Sequence, residues 1–357
     1  MAYNKPIIIA GNGIRLSNTI QEFKTFIGTY NIPFVTSFLA KDITKTDHPL
    51  NMGVIGIRGN KWANKIVGEA DLIIALGTRL CRGMIGYNNE ILNKTAYKIV
   101  IDIDKNEHKK TFVKINKLLN IDLKYFFSSK LIDDLIFSNI LDSYNSYYNW
   151  IQQCNQYKEK YKITFNDYPD GIDVYKFIDT LSTCLNDNST VIADAGTAYF
   201  VTPQALRLIG ENQRYITSGA QADMGFALPA SIGVSIASKR DVICITGDGS
   251  FQLNIQELQT IVHNKLPIKI FVLNNNGYLT IRNTQDKFFE GRHIGTDSTC
   301  GISFPDLKKI SYAYDIKYIN IDKIKLNTAS IKNILSQNNP VICEVMCSPA
   351  QKLLKSQ

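Results

Sequence analysis

With 357 residues, 45% of them hydrophobic and 20% charged, the chain has the size and composition of a globular protein with two substantial cores, which excludes a disordered or fibrous chain. Its formal charge of +8 comes from lysines interleaved with Asp and Glu, even in the densest stretch, Lys105 to Lys117; without an aromatic-basic module, the reading is a solvated basic surface and no nucleic-acid partner. The seven cysteines form no CxxC pair, the histidines at 48, 108, 263 and 293 are dispersed, and there is neither a signal peptide nor an apolar run of about 18 residues, so a reduced, cytoplasmic chain without a membrane segment is expected.

Pro6 to Ala10 form a continuous apolar run that breaks at Gly11-Asn12-Gly13, and Ile20, Phe23, Phe26 and Ile27 follow at helical spacing. This opens like a nucleotide-binding crossover, but Leu16 stands where the third glycine of a dinucleotide fingerprint belongs. Further strands are predicted at Pro33 to Thr36, Asp71 to Leu76 and Lys98 to Ile103, ending near Gly77-Thr78-Arg79 and at Asp102 and Asp104. Strands alternating with helices predict a parallel sheet covered on both faces. Residues 1–128 therefore read as one doubly wound α/β domain. A polar, aromatic stretch follows, with Tyr144, Tyr147, Tyr148, Trp150, Tyr157 and Tyr161 near helical spacing, and 129–165 reads as a linker helix packed across two domains. Asp167, Pro169 and Gly171 mark the boundary.

Residues 166–357 read as a second doubly wound parallel-sheet domain. A helix from Asp173 to Leu185 and a strand from Thr190 to Ala193 lead into Asp194-Ala195-Gly196-Thr197, where backbone amides could take a phosphate or simply make a turn. Tyr215 to Gly219 runs into Ser218-Gly219-Ala220-Gln221-Ala222-Asp223-Met224-Gly225-Phe226 and an apolar helix through Ala230 and Ile236. A buried strand, Val242 to Thr246, ends in a tight Gly247-Asp248-Gly249-Ser250 turn, followed by a helix from about Leu253 to Asn264. The next strand, Ile268 to Leu273, ends in Asn274-Asn275-Asn276-Gly277. Parallel strands joined by such a crossover bring their carboxyl ends side by side, so Asp248 and Asn275 are expected to face one site. A carboxylate and an amide oxygen suit Mg²⁺, which keeps few protein ligands and takes the rest from phosphate and water; glycines beside a helix N-terminus suit a diphosphate.

Gly247-Asp248-Gly249 followed at this distance by Asn274-Asn275, in the wording GDGSFQLNIQEL and VLNNNGYL, resembles the thiamine diphosphate signature of the acetolactate synthase-like enzymes. The resemblance implies thiamine diphosphate and Mg²⁺ as cofactors, with Asp248, Asn275 and the carbonyl of Gly277 on the metal. It implies cofactor contacts from Gly247, Gly249, Ser250, Tyr278 and Leu279, and diphosphate contacts from Asp194, Gly196 and Thr197. It also makes Met224 the wedge that bends the cofactor, and the carbonyl of Ala222, where the family usually has glycine, the acceptor for the pyrimidine amino group. The stretch from Tyr278 through Arg282, Gln285, Phe288-Phe289 and Gly295-Thr296-Asp297 would close over the site and set substrate choice, without the tryptophan that acetolactate synthases generally carry near Arg282 to Gln285.

The first half is similar to the family's central domain, through KPIIIAGNGIR, IGIRGNKWANKIVGEADLIIALGTRL and IVIDIDKNEH. In flavin-containing members that domain holds FAD. Gly77-Thr78-Arg79 and Asp102 match the flavin positions, whereas Leu80-Cys81-Arg82 departs from the usual Phe-Asp-Asp-Arg; FAD contact on one side, a strand-end cap and a surface ion pair on the other, are the alternatives. The resemblance begins at the central domain, so no catalytic residue is assigned in this chain. The activating glutamate is expected on a pyrimidine-binding domain supplied by a homo-oligomer, a partner subunit or a longer chain. The function implied is a decarboxylase or carboligase component acting on pyruvate or a related 2-keto acid; the alternatives are a non-catalytic assembly or regulatory subunit and, third, a nicotinamide dehydrogenase built on Gly11-Asn12-Gly13.

Overall fold

The computed structural model describes residues 3–107, 109, 112–128, 147–219 and 221–354. Their contacts divide the chain into two units, Met1–Lys162 with Leu354–Gln357, and Ile163–Leu353. Each unit is built on one six-stranded, wholly parallel sheet, as the alternation of apolar runs and helical patterns predicts.

In the first unit the strands are β1 (Pro6–Ala10), β2 (Phe34–Thr36), β3 (Asn51–Val54), β4 (Leu72–Leu76), β5 (Tyr97–Ile101) and β6 (Lys117–Leu119), in spatial order β3-β2-β1-β4-β5-β6. The continuous apolar runs follow from two covered faces. Along β1, Ile7 and Ile9 enter one core with Ile66, Val67 and Val100, while Ile8 and Ala10 enter the other with Phe23, Phe34 and Ile99. Strands β3 and β6 lie at the sheet edges and carry Asn51 and Gly53, or only three residues, so no apolar run announces them.

The glycines after β1 meet those after β4. A Cβ at Gly11 would lie 2.1 Å from the Gly77 carbonyl oxygen, and one at Gly13 2.6 Å from the Gly77 Cα, so close backbone packing accounts for this Gly-x-Gly. The helix that follows, Gly13–Leu16, has four residues, too few for the dipole on which a dinucleotide diphosphate rests. Of the stretch read as a linker, 129–146, including Tyr144, lies outside the described residues. The described helix, Tyr148–Lys160, belongs to the first unit: Trp150 and Cys154 enter its core, the Trp150 indole donates to the Pro6 carbonyl at 2.9 Å, and the Tyr157 hydroxyl donates to Glu69 at 2.8 Å.

The second unit orders its strands β11-β12-β10-β9-β7-β8, from β7 (Ser189–Ala193), β8 (Arg214–Thr217), β9 (Asp241–Gly247), β10 (Lys269–Asn274), β11 (Lys317–Ile321) and β12 (Val341–Met346). Ile192, Cys244, Ile270 and Ile342 from four neighbouring strands share one core with Leu228, Leu258 and Ile261 from the covering helices. The predicted turn at 247–250 differs from what forms: the helix starts at Asp248, runs to Gln252, breaks, and resumes as Glu257–His263. Leu253, expected inside that helix, is 54% exposed, and Asn254 uses its amide to hold the Gly225 carbonyl at 2.8 Å. Among the described residues, no helix is long and apolar enough to cross a membrane.

Candidate functional site

The carboxyl ends of β9 and β10 are brought together by their register, in which Leu273 pairs with Gly247. Asp248 and the turn after β10 are then joined directly: its carboxylate accepts from the Gly277 amide at 2.9 Å and from the Gly249 amide at 2.8 Å. Asp248 is 5% exposed, and burial pushes its carboxyl up to about 6, against the opposing pull of the Gly277, Gly249 and Asn275 amides and the Arg282 guanidinium.

The asparagines divide their work. Asn274 Oδ1 accepts from the Asn276 amide at 3.0 Å, and its Nδ2 donates to Glu344 at 2.7 Å, so this side chain shapes the turn. Asn275 is 5% exposed and its Oδ1 is buried without a hydrogen-bond partner. A buried, unpartnered acceptor costs roughly 1–3 kcal/mol, so an oxygen left this way beside a buried carboxylate calls for an electropositive ligand.

Among the described residues no three His, Cys, Asp or Glu side chains cluster as a metal site. The donor set here is one carboxylate, one amide oxygen and the Gly277 carbonyl, which also accepts from the Leu279 amide at 3.0 Å. Hard oxygen donors, few in number, fit Mg²⁺ bridged to phosphate and fit zinc or copper poorly. Space for such a ligand is present: a Cβ built at Gly247 would meet nothing within 4 Å, and one at Gly196 only the Thr280 hydroxyl at 3.8 Å. Gly249 and Gly277 are glycines for another reason, since a Cβ would lie 2.1 Å from the Tyr278 ring in the first case and 2.0 Å from the Thr296 carbonyl in the second. Ser250, Thr197 and Leu279 are buried in the first turns of the helices Asp248–Gln252, Gly196–Ala205 and Leu279–Phe288, and Tyr278 packs edge-on to Phe304 at 5.4 Å.

Asp194 follows β7, next to β9 in the sheet, and is 1% exposed. Each of its carboxylate oxygens takes two donors: the Ala195 and Gly225 amides at 2.8 and 2.9 Å on one, the Thr246 hydroxyl and the Ala227 amide at 2.9 and 3.3 Å on the other. Of the Asp194-to-Thr197 turn, the Gly196 side, at φ +62° and facing open space, is what remains toward a ligand. The loop after β8 is held from several sides, by Asp194, by Asn254, by the Ser218 hydroxyl accepting from the Asp223 amide at 2.9 Å, and by the Tyr199 hydroxyl on the Gly219 carbonyl. Ala220 lies outside the described residues. Met224 is 39% exposed, so its side chain is not part of the core.

Ala222 sits at φ 55°, in the left-handed region that glycine enters without penalty. Ala222→Gly is expected to raise stability by about 0.5–1 kcal/mol, the relief of that backbone less the extra freedom of the unfolded glycine, and chemical denaturation measures it; a loss of stability would refute the left-handed assignment.

The expected flavin positions of the first unit have partners of their own. Arg79 pairs with Glu107 at 2.9 Å on the surface, and Asp102 accepts from the Asp104 amide at 2.9 Å as a strand-end cap. The motifs do not reveal Thr246 or Asn254, nor the contacts that Arg282 makes from the closing segment, because all three depend on contacts between distant segments.

Comparison with known proteins places the chain among the thiamine pyrophosphate enzymes. Residues 194–345 match the family model described as thiamine pyrophosphate enzyme, C-terminal TPP binding domain, and residues 2–122 match thiamine pyrophosphate enzyme, central domain. The chain is 30% identical over 351 residues to the acetolactate synthase large subunit of Lactococcus lactis subsp. lactis (strain IL1403), covering 98% of this chain and 59% of that one. It is 28% identical to the acetolactate synthase large subunit of Cyanidium caldarium, covering 97% and 58%, and 28% identical to the acetolactate synthase isozyme 2 large subunit of Escherichia coli (strain K12), covering 96% and 59%. The chain thus spans under three fifths of the length of these relatives.

Proposed function

Carrying the central and the C-terminal cofactor-binding domains of the thiamine pyrophosphate enzymes, the chain belongs to that family, and we propose that it is the thiamine diphosphate- and Mg²⁺-binding component of an acetolactate synthase-like decarboxylase or carboligase for pyruvate or a related 2-keto acid. The observation that carries the cofactor is the buried, unpartnered Asn275 Oδ1 beside the buried Asp248 carboxylate. The likeness to relatives named acetolactate synthase large subunit carries the reaction class.

In this reading Asp248, Asn275 and the Gly277 carbonyl would hold the metal, and the open space at Gly247 and Gly196 would take the diphosphate. When bound, thiamine diphosphate supplies the electron sink that decarboxylation of a 2-keto acid requires. The chain's own residues orient it. Asp248 is fixed by backbone amides, including those of Gly249 and Gly277, so its oxygens are set before the ligand arrives. Met224 offers an exposed apolar side chain on a loop pinned by Asp194 and Asn254, suited to hold the cofactor's rings, and the Ala222 carbonyl lies on the same loop. The residue that activates the cofactor is assigned to a pyrimidine-binding domain, on a neighbouring subunit, a partner polypeptide or a longer form of this protein.

The test is calorimetric titration of thiamine diphosphate into the chain with Mg²⁺ and, separately, with EDTA. Heat in the first and none in the second is expected; no heat with Mg²⁺ at high protein concentration, or equal heats in both, would sink the reading.

A further inference from the structure

We propose that Asp194 is a positioning residue, whose carboxylate clasps the Met224 loop to the strand that ends in the metal turn and so sets where the cofactor's rings rest relative to its anchored diphosphate. This rests on the thiamine diphosphate reading above and assigns within it a role that the sequence motif obscures. The motif places Asp194 among groups that touch the diphosphate, but a second carboxylate against a diphosphate is electrostatically unfavourable, and this one is 1% exposed with two donors on each oxygen.

The donors come from three places in the chain. Ala195 belongs to the turn after β7, Gly225 and Ala227 flank Phe226 at the start of the helix Ala227–Ser238, and Thr246 is the second residue before Asp248. One carboxylate therefore links the strand leading to the metal turn to the residue after Met224. Four acceptor sites are needed, and only an ionised carboxylate provides them on two atoms; an amide provides half. Burial raises the Asp194 carboxyl while all four donors lower it, which is the balance of a group held for its hydrogen bonds. Gly225, at φ +83°, lets the chain turn toward the carboxylate; a Cβ there would come within 2.8 Å of the Asn254 amide.

The test uses Asp194→Asn and Thr246→Val in the full chain with two ligands, magnesium with inorganic diphosphate and magnesium with thiamine diphosphate, and hydrogen exchange in 221–230 followed by mass spectrometry. In Asp194→Asn, affinity for inorganic diphosphate should stay within about threefold of wild type, while thiamine diphosphate weakens about tenfold or more and exchange in 221–230 rises. Met224→Ala should cost less thiamine diphosphate affinity in the Asp194→Asn background than in wild type, because the wedge is already displaced. Thr246→Val removes one donor and should act in the same direction, more weakly; it carries the test if Asp194→Asn does not fold. Equal losses for both ligands would make Asp194 part of the diphosphate anchor and overturn the proposal, as would unchanged affinities with unchanged exchange. Wild type that binds neither ligand refutes the cofactor reading instead, and the exchange measurement then decides the clasp independently.

Discussion

Asp248→Ala is expected to lower magnesium-dependent affinity for thiamine diphosphate by about 3 kcal/mol or more, on the order of a hundredfold, because it removes the one carboxylate of the donor set. The wild-type protein should approach the same weak binding in acid. In the metal-free protein the Asp248 carboxyl is raised from its ordinary 3.8 to about 6, chiefly by burial. A raised native value means that this group's contribution favouring the folded state is fully present below 3.8 and is lost as pH rises through about 6. A divalent cation works in the opposite direction, since it needs the ionised form and competes with the proton. Affinity should therefore be level above pH 6 and fall about tenfold per unit below it, until other groups titrate. Calorimetry from pH 5 to 8 reads both effects. Wild type binding equally well at pH 5 and pH 7.5, or Asp248→Ala keeping the wild-type affinity, would remove Asp248 from the metal.

Much of this site was readable before any coordinates because its motifs end buried strands. Apolar runs such as Val242 to Ile245 and Ile270 to Leu273 can only be interior strands of a sheet covered on both faces, and whatever polar residue follows each is forced to the same edge. That argument places Asp248 beside Asn275. It does not distinguish Asn274 from Asn275, since the difference lies in Glu344, a residue on β12 whose carboxylate occupies Asn274. Nor does it reveal that Asp194 is enclosed by amides and a hydroxyl from three segments. The helix expected over Leu253 to Asn264 broke at 253–256, where Asn254 turns its side chain to the Gly225 carbonyl and local propensity yields to a tertiary contact. Edge strands β3, β6 and β11 escaped because an edge position does not demand a continuous apolar run.

Arg282→Ala is expected to destabilise the protein by about 2–4 kcal/mol and to weaken cofactor binding together with stability. It lies in the segment expected to close over the site and set substrate choice, but Arg282 is 8% exposed and its guanidinium is engaged with the turn after β10. The guanidinium donates to the Asn276 carbonyl at 3.0 Å and the Asn275 carbonyl at 3.1 Å, reaches the Pro349 carbonyl at 3.5 Å, and lies 3.5 Å from an Asp297 oxygen. Two of those carbonyls, of Asn275 and Asn276, belong to the turn that carries Asn275 Oδ1, which is buried without a hydrogen-bond partner. Without the guanidinium they lose their donors inside the protein, and the turn loses the brace that fixes the proposed metal ligand, Asn275. Lysine should recover little, because a single ammonium on a flexible stem cannot span carbonyls that a planar fork engages at once. Thermal unfolding and calorimetry on Arg282→Ala and Arg282→Lys measure the two effects. Were the alanine variant to unfold like wild type, bind thiamine diphosphate normally and alter only the choice of 2-keto acid, Arg282 would be a substrate contact and its role as a brace would fall.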